Sequence, residues 1–111
     1  GIRDSSVTGV QRVLFRSQCQ GSVVDAVSTA MGLKITFEKG RVEQTNFDKY
    51  PLVRIDKAPE IDVHFIQSEY PPTGCGEPAF PPAAPAIANA IFAATGQRIR
   101  TLPFSSEGYT L

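Results

Sequence analysis

The chain has 111 residues, which is enough for one domain and too few for two. Eleven basic residues balance eleven acidic ones, so the chain lacks the basic surplus that nucleic-acid-binding domains carry. The hydrophobic fraction of 41% is ordinary for a folded segment, and no apolar run approaches the roughly eighteen residues of a membrane-spanning helix. Composition therefore predicts a folded segment with no nucleic-acid partner and no membrane span.

Residues 1–17 show neither helical nor alternating periodicity. Within them, the run VTGVQRVLFRS reads like the translation of a common sequencing-library adapter with one base missing. We expect residues 1–17 to be non-native or disordered, with irregular backbone, and residues 18–111 to be the native part.

From Gln18 onward the periodicity predicts a helix followed by a β-hairpin. The positions that recur on one helical face are Val23, Ala26, Val27, Ala30 and Met31. Gly32 is placed to end this helix in the left-handed conformation that glycine adopts without penalty. Alternating apolar residues from Leu33 to Phe37 then predict a strand, and Lys39-Gly40 a tight turn into a second strand.

The second half of the chain predicts further short strands, a loop and a helix. Residues 52–55 and 61–67 alternate as strands do, and a proline- and glycine-rich loop runs from Ser68 to Pro82. The run AAPAIANAIFAATG predicts a helix capped by Gly96, and residues 99–102 a last strand. The fold class is therefore α+β. The small side chains around this second helix predict close packing on several sides, as inside a larger protein.

The loop around Glu77 has the most specific pattern. Gly74 and Gly76 remove side chains on both sides of Cys75, and Pro78 restricts Glu77 to extended backbone. A carboxylate fixed in this way could act as a general base if it lay beside a reacting group. The pattern also fits an acidic residue stabilised by the dipole of the helix that follows. The residues alone leave both interpretations open.

Two longer stretches of sequence favour the general-base interpretation of Glu77. GRVEQTNFDKYPLVRIDKAPEIDVHFI and PPTGCGEPAFPPAAPAIANAIFAATGQRIRTLPF resemble the C-terminal part of the molybdopterin-binding large subunit of xanthine-oxidase-superfamily molybdenum hydroxylases, of the isoquinoline 1-oxidoreductase and aldehyde dehydrogenase type. The resemblance covers about Gln18 to Phe104. It implies that residues 18–111 are a fragment of a larger cofactor-binding domain.

The same resemblance implies a function. The parent enzyme would oxidise aldehydes or N-heterocycles with water as the oxygen source, and Glu77 would be the general base that activates the molybdenum-bound hydroxide. The implied cofactors are molybdenum–molybdopterin, in its cytosine dinucleotide form, and iron–sulfur clusters on a small [2Fe-2S] partner subunit. No residue of this chain is implied as a metal ligand. We expect the chain to be inactive without the rest of the large subunit, and its compartment, bacterial cytoplasm or periplasm, stays open.

The resemblance implies two further residues as cofactor contacts, namely Gly76 through its backbone and Gln18. Around Gln18 the sequence departs from the family pattern, because Gln20 replaces an acid and Ser22 replaces a glycine. Cys75 stands where the family more often has valine, and we interpret it as a packing residue. Cys19 and Cys75 have no metal-ligand spacing, and a disulfide between them is left open.

The remaining chemically active residues receive structural interpretations. His64 is expected to be solvated or hydrogen-bonded on a strand face, and Tyr50 and Arg54 to be structural rather than to line a substrate channel. A different function class also stays open. The chain could be a stand-alone α+β module that uses the proline- and glycine-rich loop as an interaction surface.

Overall fold

The computed structural model describes residues 9–66, 68–71 and 73–111, with side chains from residue 13 onward. Two helices, α1 (Gly9–Met31) and α2 (Phe80–Thr95), pack against each other. An antiparallel hairpin of β1 (Phe37–Glu38) and β2 (Arg41–Val42) lies between them in the chain. Short 3-10 helices span Phe47–Lys49 and Phe104–Glu107, and neither α1 nor α2, as described, is long and apolar enough to cross a membrane.

Helix α1 begins at Gly9, earlier than the predicted start near Gln18. The expectation of irregular backbone up to residue 17 is therefore wrong for residues 9–17. No proline or glycine interrupts the run between Gly9 and Gly21, and extending an existing helix costs little per residue. Residues 13–18 are nevertheless exposed, so this first part of α1 contributes nothing to the core. Residues 1–8 lie outside the described part, and the non-native origin of 1–17 stays a prediction.

The two helices end in different ways. Helix α1 stops at Met31 as predicted, but Gly32 is not among the residues with positive φ, so the predicted left-handed cap is wrong. Instead, the N–H groups of Gly32 and Leu33 both donate to the carbonyl of Ser28, at 3.1 and 3.3 Å. Gly96 does cap α2 as predicted, with φ of 74° and its N–H 2.7 Å from the carbonyl of Phe92.

The hairpin turns at the predicted residues. Lys39 and Gly40 have φ of 48° and 78°, the pair of positive values that a two-residue hairpin loop of type I′ requires. Phe37 pairs with Val42 and Glu38 with Arg41, so each strand is only two residues long, shorter than predicted from Leu33. One further backbone bond, from the N–H of Glu43 to the carbonyl of Thr36 at 3.0 Å, extends the pairing.

The other predicted strands do not form in the described part of the chain. Residues 52–55, 61–66 and 99–102 contain no strand, so these predictions are wrong. A strand needs a neighbour to complete its hydrogen-bond ladder. Here side chains of α1 take that place: the N–H of Val53 donates to Ser28 Oγ at 3.0 Å, and the carbonyl of Ile61 accepts from Gln20 Nε2 at 3.3 Å.

The core is small and one-sided. Ala30, Ile99 and Phe104 are buried together, and half-buried residues of α2 pack against them: Ala84, Ile87, Ala88 and Ile91. Helix α2 has no buried residue of its own, so the predicted packing on several sides is not supplied within the described chain. The radius of gyration is 17.5 Å, against about 13 Å for a compact domain of this length. Many large apolar side chains of the described residues are exposed, among them Phe37, Ile55 and Ile66.

Candidate functional site

The loop that carries Glu77 crosses α1 at Cys19. The Cys19 thiol donates to the carbonyl of Cys75 across 3.6 Å. Together with the hydrogen bonds made by the side chains of Gln20 and Ser28, it is one of three described side-chain hydrogen bonds by which α1 holds otherwise irregular segments. Because a helix presents these residues at fixed spacing, it sets where each segment lies.

A cleft opens beside this crossing, between α1, the loop and the start of α2. Its volume is about 520 Å³, which lies within the range of small-molecule sites, and it is open to solvent. The residues that line it come from all three elements and are Gly21, Ser22 and Asp25 of α1, Gly76 and Glu77 of the loop, and Phe80 and Pro81 of α2.

Glu77 stands on the cleft wall with its backbone fixed and its side chain exposed. Its carbonyl accepts a hydrogen bond from the N–H of Phe80 at 2.9 Å, which holds the residue one turn before α2. No hydrogen bond or ion pair of the described residues uses its carboxylate. The carboxylate can therefore accept a proton from a ligand in the cleft without first breaking a hydrogen bond or ion pair with another described residue.

The walls on both sides of the cleft include bare backbone. A Cβ added at Gly21 or at Gly76 would meet no atom within 4 Å, so the space next to each glycine is open. The chain's own packing does not require glycine at these two positions. A ligand that approaches the main chain closely would require it.

Ser22 adds a polar group that has no hydrogen-bond partner among the described residues. The residue is only 7% exposed, and its hydroxyl is a buried oxygen for which no hydrogen bond is found. Mid-helix serines usually donate to the carbonyl four residues earlier, as Ser28 does to Val24 at 3.0 Å. Ser22 lines the cleft, but its hydroxyl oxygen is itself buried, so a bound ligand could satisfy the hydroxyl only after the side chain rotates toward the cleft.

The structure brings only two of the three site residues predicted from the sequence together in the cleft. Gly76 and Glu77 both line the cleft, whereas Gln18 is exposed and lies outside it. Gln18 does share a helical face with Ser22 and Asp25, since these three positions are spaced i, i+4 and i+7 on α1. That spacing is the signal by which Ser22 and Asp25, which the sequence analysis missed as site residues, could have been found.

Residues that received structural interpretations lie elsewhere. His64 Nε2 is 2.8 Å from a carboxylate oxygen of Asp62 in an exposed pair, so the expectation of a solvated or hydrogen-bonded histidine is confirmed. Tyr50 is half-buried and Arg54 is exposed, and neither lines the cleft. Among the described residues, no group of three or more His, Cys, Asp or Glu side chains is arranged to hold a metal ion.

Comparison with known proteins gives related sequences. No family model matches the chain. It is 40% identical over 93 residues to a nicotinate dehydrogenase component of Pseudomonas putida, covering 83% of this chain and 8% of that protein. It is 30% identical over 90 residues to the beta component of isoquinoline 1-oxidoreductase of Brevundimonas diminuta, covering 81% of this chain and 12% of that protein.

A third relative is a membrane-bound aldehyde dehydrogenase [pyrroloquinoline-quinone] of Gluconacetobacter polyoxogenes, 34% identical over 88 residues, with 79% of this chain and 11% of that protein covered. The chain thus spans about a tenth of the length of the curated relatives that it matches. Over most of its own length, it is similar to a segment of proteins that are all named as dehydrogenases or oxidoreductases.

Proposed function

We propose that this chain forms one wall of the active-site cleft in the catalytic large subunit of a molybdenum hydroxylase, with Glu77 as the general base. The reaction would be oxidation of an aldehyde or an N-heterocycle, with water as the oxygen source. The observation that carries the proposal is the position of Glu77, whose exposed carboxylate shares a cleft with Ser22 and Asp25 from a distant part of the sequence. The names of the three relatives support the reaction class, since they include a nicotinate, an isoquinoline and an aldehyde enzyme.

The residues present fit one side of a molybdenum–pterin cofactor. A pterin is a flat heterocycle that carries several hydrogen-bond donors and acceptors. The cleft offers it bare backbone at Gly21 and Gly76, and rotation of the Ser22 side chain toward the cleft would add a hydroxyl donor. Gln18, one turn earlier on the same face of α1, would reach a group that extends beyond the cleft. When bound, the cofactor would supply the two-electron redox chemistry and acidify a water molecule.

Glu77 would then accept the proton of that water. A general base needs a fixed backbone, a free side chain and an open path to the ligand. In Glu77 the backbone is held by the hydrogen bond from Phe80, and the side chain is exposed beside the cleft. Positioned proton transfer of this kind contributes about 10²–10⁴-fold to a rate. The other lining residues would shape the cleft, and Phe80 and Pro81 would supply its apolar side.

The test uses the complete large subunit with its partner subunit. We expect Glu77→Gln to lower kcat for aldehyde or N-heterocycle oxidation by about 10²–10⁴-fold, because the amide cannot accept the proton. Molybdenum content, measured by inductively coupled plasma mass spectrometry, should stay at the wild-type level. The matched control is Glu69→Gln, which changes an exposed glutamate near the start of the same loop that does not line the cleft. Equal kcat values for the two variants would contradict the proposal.

Cofactor identity needs its own measurement, because the name of one relative contains pyrroloquinoline-quinone. Acid release of the bound cofactor, followed by mass spectrometry, distinguishes a molybdopterin dinucleotide from that quinone. We expect molybdenum and pterin in equal amounts. A quinone in their place would refute the molybdenum part of the proposal, while a role for Glu77 as a base would still be tested by its variant.

We further propose that the chain alone is inactive and belongs to a larger subunit. The buried apolar residues of the described part are few, namely Ala26, Val27, Ala30, Ile99 and Phe104. Several large apolar side chains are almost fully exposed, among them Ile55 at 96% and Ile66 at 93%. Surfaces of that kind normally pack against other protein. Aldehyde or N-heterocycle turnover by the purified chain, after addition of molybdenum cofactor, would refute this part of the proposal.

A further inference from the structure

The two cysteines of the chain meet where α1 and the loop that carries Glu77 cross. They are 56 positions apart in sequence, yet the sulfur of Cys19 lies 3.6 Å from the carbonyl oxygen of Cys75. Both are free thiols, and both are half-buried rather than sealed inside a core. The described fold therefore brings together two thiols that the sequence separates.

The proximity of Cys75 also affects the acidity of the Cys19 thiol. Burial, then the charge of Cys75 and a hydrogen bond with its side chain, raise the pKa of the Cys19 thiol. Gly74 and Gly76 flank Cys75, and a Cβ at either would meet no atom within 4 Å, so the loop backbone has both conformational freedom and space to adjust.

We propose that Cys19 and Cys75 form an oxidative modification site, at which a small-molecule disulfide converts the two thiols into an intramolecular disulfide bond. One thiol attacks the small disulfide, with loss of its proton, and releases one small thiol. The second protein thiol then displaces the other small thiol, and the protein sulfur–sulfur bond forms. Two protein thiols are oxidised and one small-molecule disulfide is reduced to two thiols, which take up both protons, so atoms and electrons balance.

The bond would fix the Glu77 loop to α1. Cys75 lies two residues before Glu77, and Cys19 lies two and three residues before Gly21 and Ser22, on the opposite wall of the cleft. Closing the bond would thus join the two walls at one end. This consequence for Glu77 rests on the proposed function, whereas formation of the bond does not.

The experiment uses the purified chain and oxidised glutathione as the probe. After incubation and blocking of residual thiols, non-reducing peptide mapping should find a peptide that joins Cys19 to Cys75 in monomeric protein. The intact mass should fall by two hydrogens, and dithiothreitol should restore it. Glutathione adducts at both cysteines, or disulfide-linked dimers alone, would overturn the proposal.

Two controls distinguish crosslinking that depends on the fold from crosslinking that random collisions of the two thiols would produce. In about 6 M urea the crosslink should form at least roughly tenfold more slowly, because the unfolded chain no longer holds the thiols together. The second control moves the loop thiol by two residues, by combining Cys75→Ser with Thr73→Cys, and it should also crosslink more slowly. Equal rates in the native chain and in either control would overturn the proposal.

Hydrogen exchange gives a second readout that does not depend on enzyme activity. Amides of residues 73–77 should exchange more slowly in the oxidised chain than in the reduced chain, while those of the hairpin at residues 37–42 should be unchanged. Unchanged exchange at 73–77 would overturn the fixing of the loop. Failure of the crosslink leaves the Glu77→Gln experiment unaffected, and a normal kcat for that variant leaves the crosslink unaffected.

Discussion

Replacing Ser22 with alanine should stabilise the chain, although the residue is buried. Ser22 is 7% exposed, and its hydroxyl oxygen is buried with no hydrogen-bond partner in the described part of the chain. Serine in the middle of a helix is already less favourable than alanine. The substitution Ser22→Ala removes only the oxygen atom, so it leaves neither a large cavity nor a broken contact.

The magnitude follows from the two effects. An unsatisfied buried hydroxyl costs about 1–3 kcal/mol, and alanine gains a few tenths of a kcal/mol in helix propensity. Part of the hydroxyl penalty is relieved by small local movements. We therefore expect Ser22→Ala to raise the free energy of unfolding by about 1–2 kcal/mol, which raises Tm by several degrees for a chain of this size.

Ser28 provides the matched control on the same helix. It is also buried, at 3% exposed, but its hydroxyl is used twice, as an acceptor from the N–H of Val53 and as a donor to the carbonyl of Val24, both at 3.0 Å. Ser28→Ala leaves the N–H of Val53 without its partner, so we expect the free energy of unfolding to fall by about 1–2 kcal/mol.

Urea denaturation followed by circular dichroism at 222 nm measures both variants, and equal slopes make the midpoints comparable. The reasoning is refuted if Ser22→Ala destabilises the chain, because the hydroxyl would then have a partner within the chain. In the complete subunit the same variant should have a second effect. Loss of a donor to the cofactor should lower the bound molybdenum and pterin, even though the protein itself unfolds less readily.

Other substitutions test the core, the cap of α2 and the thiol pair. Phe104→Ala should lower the free energy of unfolding by about 3–5 kcal/mol in the same assay, whereas Phe47→Ala, at a side chain that is 71% exposed, should change it by less than about 0.5 kcal/mol. Gly96→Ala should cost about 1–2 kcal/mol because its φ of 74° crowds a Cβ; a Tm equal to the wild type would contradict this. Iodoacetamide should label Cys19 only at a pH above that for an unfolded cysteine, because burial and Cys75 raise its pKa, and Cys75→Ser should lower that pH. Because the pKa of Cys19 is higher in the folded state than in the unfolded state, its contribution to the free energy of unfolding is fully present below the unfolded pKa and is lost as pH rises through the folded pKa. A free energy of unfolding that stays constant across that alkaline range would contradict this expectation.

Local features of the fold were predictable where a short stretch of sequence determines its own conformation. Lys39-Gly40 specified the hairpin turn and Gly96 the cap of α2, because a positive φ is a property of one or two residues. Strands at 52–55, 61–66 and 99–102 were predicted wrongly, since alternation shows that a segment is half-buried but not what completes its hydrogen bonds. Side chains of α1 form hydrogen bonds with the backbone of two of these segments. The periodicity of a segment contains no information about such distant hydrogen-bond partners.

The sequence by itself determined the two main helices, the hairpin turn and the presence of a loop around Glu77, because each depends on neighbouring residues and backbone sterics. The tertiary structure alone decided that Glu77 shares a cleft with Ser22 and Asp25, that the hydroxyl of Ser22 has no partner, and that Cys19 meets Cys75. These are relations between segments more than fifty positions apart or between a side chain and its packed surroundings. They exist only once α1 and α2 have packed, because no local preference brings such segments together.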